Sequence, residues 1–136
     1  MRFLSSLCAA LCLGPAFVGT VSAQPSPIVG TWQQVETNAG SCRSCQIELK
    51  REAGALRIIA NNGWSASIDD NGDVDRFEAR GTGSWQATTK GWVAGRAFDI
   101  TVLSVDERLR IAMRVRMPDG SVRLVHAVFK RVWHGV

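Results

Sequence analysis

The sequence predicts an all-β protein, an eight-stranded antiparallel up-and-down barrel, with a two-sheet β-sandwich as the alternative. Three observations carry this. Turn-forming clusters recur every 8 to 19 residues from Thr37 onward, among them Asn61-Asn62-Gly63 and Pro118-Asp119-Gly120. Asn-Gly and Asp-Gly pairs supply the positive-φ residues that tight hairpins need. The runs between the clusters alternate apolar and polar with a period of two, and no segment with a helical period is left over. Eight sequential hairpin-linked strands close most simply into a barrel, which leaves no unpaired edge.

Taken in order, the strands are expected at 29–36, 46–50, 55–61, 64–69, 74–87, 92–104, 108–117 and 121–132. The second places Ile47 and Leu49 on one face, the third Leu56, Ile58 and Ala60, and the fourth Trp64, Ala66 and Ile68. In the fifth, Phe77, Ala79, Gly81, Gly83 and Trp85 share a phase, and glycines on an inner face imply a bend or a close backbone approach. The sixth aligns Phe98, Ile100 and Val102. The seventh is the clearest: Leu109, Ile111, Met113, Val115 and Met117 oppose Arg108, Arg110, Ala112, Arg114 and Arg116, one face buried and one solvated. The last strand is apolar on both faces, as expected if it is covered outside or shifts register at a bulge.

Residues 1–23 read as a secretory signal. Arg2 precedes an almost unbroken apolar run from Phe3 to Val18, and Val21-Ser22-Ala23 has small residues where a signal peptidase reads. Cleavage after Ala23 would leave Gln24 first, a Pro-containing extended leader at 24–27, and one domain at 28–134. The run is too short for a spanning helix, so no membrane span is expected in the mature chain, and the location expected is periplasmic or secreted. Cys8 and Cys12 lack the small residues of a lipoprotein site. Without Arg2 the chain carries 15 basic against 12 acidic side chains, too small an excess to argue for nucleic acid.

Gly30-Thr31-Trp32 at the start of the first strand resembles the calycin barrels: lipocalins, avidins and small bacterial protease-inhibitor barrels. The resemblance covers this motif and the strand count. It implies a barrel plugged at one end by Trp32, with Arg131 near the end of the last strand packing against it and Trp133 nearby. The 113 residues of the mature chain are short for a lipocalin, and the C-terminal helix of that family is missing. The polar groups with which avidins hold biotin are not recognisable, and the cysteines close a shorter loop than in the inhibitor barrels.

Cys42-Arg43-Ser44-Cys45 admits three chemistries. A metal site wants four ligands, and only His126 and His134 accompany the pair, at an unsuitable spacing. Haem attachment needs a histidine where Gln46 stands. A redox pair of the thioredoxin type opens a helix in an α/β fold, whereas this pair lies in a loop before a strand. A disulfide staple across the loop is expected in an oxidising compartment; a thiol redox role stays open because Arg43 favours a thiolate. Asp69, Asn71 and Asp73 have the alternation of Ca²⁺ ligands, but Gly72 comes two places early and Arg80 stands where a terminal Glu belongs, so a hairpin turn is expected there. No metal and no cofactor are expected.

No set of titratable groups for acid–base or nucleophilic chemistry can be assembled. His126, mid-strand, reads as structural. A binding role is therefore expected and a catalytic one is not. The first candidate site is the barrel interior, where Trp32, Trp64, Phe77, Trp85, Phe98 and Met113 would surround a small apolar ligand. The second is a partner-binding surface formed by loops and by the face of Arg108, Arg110, Arg114 and Arg116, suited to an acidic envelope protein or to an envelope enzyme that the chain would inhibit.

Overall fold

The computed structural model describes residues 14–19, 28–73 and 75–133. The signal segment and the 24–27 leader fall almost wholly outside them, as does His134; residues 14–19 form no regular element. Eight strands follow: β1 (Gly30–Thr37), β2 (Gln46–Glu52), β3 (Ala55–Ala60), β4 (Trp64–Asp70), β5 (Glu78–Trp85), β6 (Ala97–Val105), β7 (Arg108–Arg116) and β8 (Val122–Arg131). Each pairs antiparallel with the next, and β8 returns to β1, so the sheet is a closed up-and-down barrel. The sandwich alternative is thereby excluded.

The period-two pattern decides which side chains fill the barrel. Trp32, Leu49, Ile58, Ile68, Phe98, Val102, Leu109, Val115 and Phe129, with their in-phase neighbours, form one contiguous buried cluster. No polar or charged residue is buried among the described residues. With strands this short, large side chains from opposite walls meet in the middle and exclude water, which is the main source of stability here.

Two strands start later than their patterns suggest. The fifth was expected from 74 and begins at Glu78, because side chains take the backbone groups before it. Asp73 Oδ1 accepts from the Asp75 and Arg76 amides at 2.8 and 3.0 Å, and Asn71 Nδ2 donates to Arg76 O at 2.8 Å. Phe77 nonetheless keeps its inward phase and is buried. The sixth was expected from 92 and begins at Ala97, since 86–96 closes on itself through local turns such as Arg96 N to Val93 O, 2.9 Å.

The inward glycines of β5 make the close approach expected of them. A Cβ on Gly83 would meet Ser65 O and the Phe98 ring; one on Gly81 would overlap Ser67 O and the Ile68 backbone. Side-chain-free positions let β4 and β5 curl tightly, and Phe98 takes the space. The β6–β7 hairpin turns on Asp106 and Glu107, with φ of 50° and 61°, the mirror-image turn that suits strand twist. In β1 the register against β8 shifts between Gln34 and Glu36. That bulge answers the double-sided apolar pattern of β8 only in part: Val128 is half-buried, but Val122 and Leu124 stay exposed.

Candidate functional site

Antiparallel order gives the barrel two distinct ends. The end where β1 starts holds the plug. Trp32 is 4% exposed and its indole N–H donates to Ile28 O at 3.0 Å. Arg131 is the register partner of Trp32 across the closing seam. Its guanidinium lies 4.3 Å from the Trp32 ring centroid and 5.4 Å from that of Trp133, and it donates to Val29 O. Burial pushes the Arg131 pKa below the ordinary arginine value. Gly30 has φ +137°, and a Cβ there would stand 2.5 Å from the Arg131 guanidinium. Gly30, Trp32 and Arg131 thus act as one unit: the glycine clears the space that the arginine needs to reach the ring.

Above the plug lies an open cup of about 740 Å³. Ile28, Trp32 and Phe77 supply its apolar floor, and Trp133 stands at its edge. The rim is polar for a simple reason. One step further along the inward phase, past the last buried aliphatic of each strand, β2 presents Arg51, β4 Asp70 and β6 Ser104, all of which border the cup. Arg51 Nη2 and Asp70 Oδ2 pair at 3.1 Å across the end of β3. Arg108 and Lys130, register partners on β7 and β8, complete the basic side, while Asp73, Asp106 and Glu107 add acidic groups from two loops.

The six aromatic and thioether residues expected around an interior ligand are divided by this arrangement. Trp32 and Phe77 meet at the cup. Trp64, Trp85 and Phe98 cluster at the opposite end, with ring centroids 5.8 to 6.5 Å apart in tilted and edge-on contacts. Met113 is buried in the core between Ile100 and Val125. Trp85 is only half-buried as a residue, yet its Nε1 is sealed from solvent without a hydrogen-bond partner. The rim residues Arg51, Asp70, Ser104 and Lys130 were not singled out from sequence. For Arg51, Asp70 and Ser104 the signal was the continued inward alternation beyond each apolar run, which looked like ordinary strand ends; Lys130 borders the cup from the outward phase of β8.

Arg108, Arg110, Arg114 and Arg116 all point outward and are exposed. Arg116 Nη2 bonds Asp99 Oδ1 at 2.8 Å. Asp99 lies on the neighbouring strand β6, out of phase with the buried Phe98, Ile100 and Val102.

Cys42 and Cys45 form the expected disulfide, with Cα atoms 5.4 Å apart. The second half of that loop is held twice over. Gln33 Nε2 donates to Arg43 O and Cys45 O at 2.9 and 3.0 Å, and Asn61 bridges Ser44 O and the Gln46 amide. Cys45 is buried and Cys42 half-buried. In the acidic loop, the Asn71 and Asp73 oxygens accept from backbone amides, the turn chemistry expected of them. Among the described residues no cluster of three or more His, Cys, Asp or Glu could hold a metal ion. No helix among them is long and apolar enough to cross a membrane. His126 has an exposed side chain, and its backbone exchanges hydrogen bonds with Asn38, which prolongs the seam past β1.

Comparison with protein-family models, with curated proteins and with solved structures found no match in any of the three. At the coarse level the closed eight-stranded antiparallel barrel agrees with the calycin architecture.

Proposed function

We propose that this chain is an exported, calycin-like binding protein that carries a small, largely apolar ligand in the cup above Trp32. The supporting observation is the cup itself: about 740 Å³ with an apolar floor of Ile28, Trp32 and Phe77 and a polar rim. That size falls within the usual range for small-molecule sites, and such sites combine apolar walls with a few polar groups that fix orientation. The barrel interior serves instead as the core, since Ile58, Val102 and Leu109 at its centre are fully buried against their neighbours. Export, to the periplasm or beyond, is part of this reading and rests on the charged start, apolar run and small-residue site of residues 1–23.

The test is titration of the purified protein with N-phenyl-1-naphthylamine, a neutral apolar probe. Saturable fluorescence enhancement is expected. Phe77→Ser should weaken it about tenfold, which corresponds to losing one buried aromatic contact. Trp85→Phe, at the far end, should leave it unchanged. Absence of saturable binding in the parent protein, or equal loss in both variants, would remove the cup as a ligand site.

A further inference from the structure

The outer wall of the barrel has two halves of unlike chemistry. On β2 to β5, acids and bases are mixed and pair with one another: Lys50 with Glu52 at 3.0 Å, Arg57 with Glu52 at 3.8 Å, Arg80 with Glu78 at 3.0 Å. On β6 to β8, the outward positions carry Arg108, Arg110, Arg114, Arg116 and Lys130 against one carboxylate, Asp99, which Arg116 engages. Asp106, Glu107 and Asp119 lie in the turns at either end, off the wall.

The same wall exposes aliphatic side chains. Leu103, Val105, Val122 and Leu124 are 37, 40, 42 and 53% exposed. The register interleaves them with the cations: Arg110 lies between Leu103 and Val128, Arg114 has Leu124 beside it, and Arg116 faces Val122.

We propose that the β6–β8 wall docks against an anionic phospholipid surface. Like charges clustered on one wall repel each other unless a partner supplies the opposite sign. Three strands about 4.8 Å apart, each rising about 3.3 Å per residue, spread these cations over an area that several headgroups would cover. Guanidinium groups match phosphate oxygens through paired N–H donors. The aliphatic side chains between them are placed to enter the boundary between headgroups and acyl chains. A protein partner fits less well, because protein interfaces concentrate apolar residues at a core from which charge is depleted; here cations occupy nearly every row. This inference goes beyond the cup and does not depend on it, although Arg108 and Lys130 border both, so a docked barrel holds its cup mouth beside the lipid surface.

The experiment is co-sedimentation of the purified protein with phosphatidylcholine vesicles, with and without phosphatidylglycerol, over a series of salt concentrations. Binding is expected only to the anionic vesicles and should fall as salt rises. Arg110→Glu combined with Arg114→Glu should lower partitioning more than about 25-fold, at roughly fivefold per basic side chain removed. Arg57→Glu combined with Arg80→Glu, the same charge change on the opposite wall, should retain most of it. Should the first pair fail to fold, judged by circular dichroism, Arg110→Gln with Arg114→Gln supplies the same comparison. No binding of the parent protein to anionic vesicles overturns the proposal, and so does equal loss in both pairs. Arginine-dependent capture of an acidic envelope protein without vesicle binding overturns it in favour of a protein partner. Naphthylamine binding in the cup should be unaltered by the Arg110 and Arg114 changes, which separates this outcome from that of the carrier reading.

Discussion

Arg131 lays its guanidinium over the Trp32 indole, 4.3 Å from the ring centroid, from the strand that closes the barrel against β1. The same group donates to Val29 O, so one side chain ties the N-terminal entry of the chain, the plug and the closing seam together. Arg131→Ala should cost about 2 kcal/mol, combining a partly desolvated cation–π contact with a lost charged hydrogen bond. Arg131→Lys keeps the charge without the planar fork and should fall between. Urea denaturation of the three proteins checks the order.

Gly30→Ala should destabilise through the same unit. Its φ of +137° is one that side chains rarely adopt, and the new Cβ would press on the guanidinium. The expected cost is about 1–3 kcal/mol. In Arg131→Ala the steric part disappears and only the backbone part remains, so a double-mutant cycle should show the two changes to be less than additive.

Gly81→Ala meets backbone rather than a flexible side chain, at Ser67 O and the Ile68 Cα. The β4–β5 pairing must open to accept it. A loss of about 3 kcal/mol is expected, read as a drop in melting temperature, with enhanced amide exchange confined first to β4 and β5.

Removing the disulfide with Cys42→Ser and Cys45→Ser should cost only about 2 kcal/mol, since so small a loop constrains the unfolded chain little. The barrel should persist. Amide exchange should quicken at residue 45, whose N–H donates to Cys42 O across the loop that the disulfide closes. Gln46 and Asn61 should remain protected, because Asn61 and Gln33 hold that side independently.

Asp119 provides a pH test. The Ser121 hydroxyl, and then the Ser121 amide, donate to its carboxylate and hold its pKa below the ordinary 3.8. A depressed carboxyl contributes stability above its unfolded pKa and loses it as pH falls through the folded value. The 117–121 turn should therefore loosen only in acid, below about pH 4. Ser121→Ala should bring the Asp119 pKa back up towards the ordinary value, as followed by NMR titration of the side-chain carboxyl.

The sequence by itself determined the strands and their faces. Leu109, Ile111, Met113 and Val115 alternate with arginines because a strand turns each successive side chain to the opposite side, and burial of the apolar set then fixes the register. It also placed the turns and the disulfide, which depend on neighbours a few residues apart. It erred where side chains compete locally with the sheet for backbone partners, as Asn71 and Asp73 do before β5.

Only the tertiary structure decided where a ligand could sit. Trp32, Trp64, Phe77, Trp85, Phe98 and Met113 share an inward phase, but phase says nothing about height along the barrel. Closure and strand direction send Trp32 and Phe77 to one end and Trp64, Trp85 and Phe98 to the other. The cup likewise joins Arg51, Asp70, Ser104 and Arg131 from four strands. Periodicity is a property of one strand, whereas a site belongs to several, and they come together only when β8 meets β1.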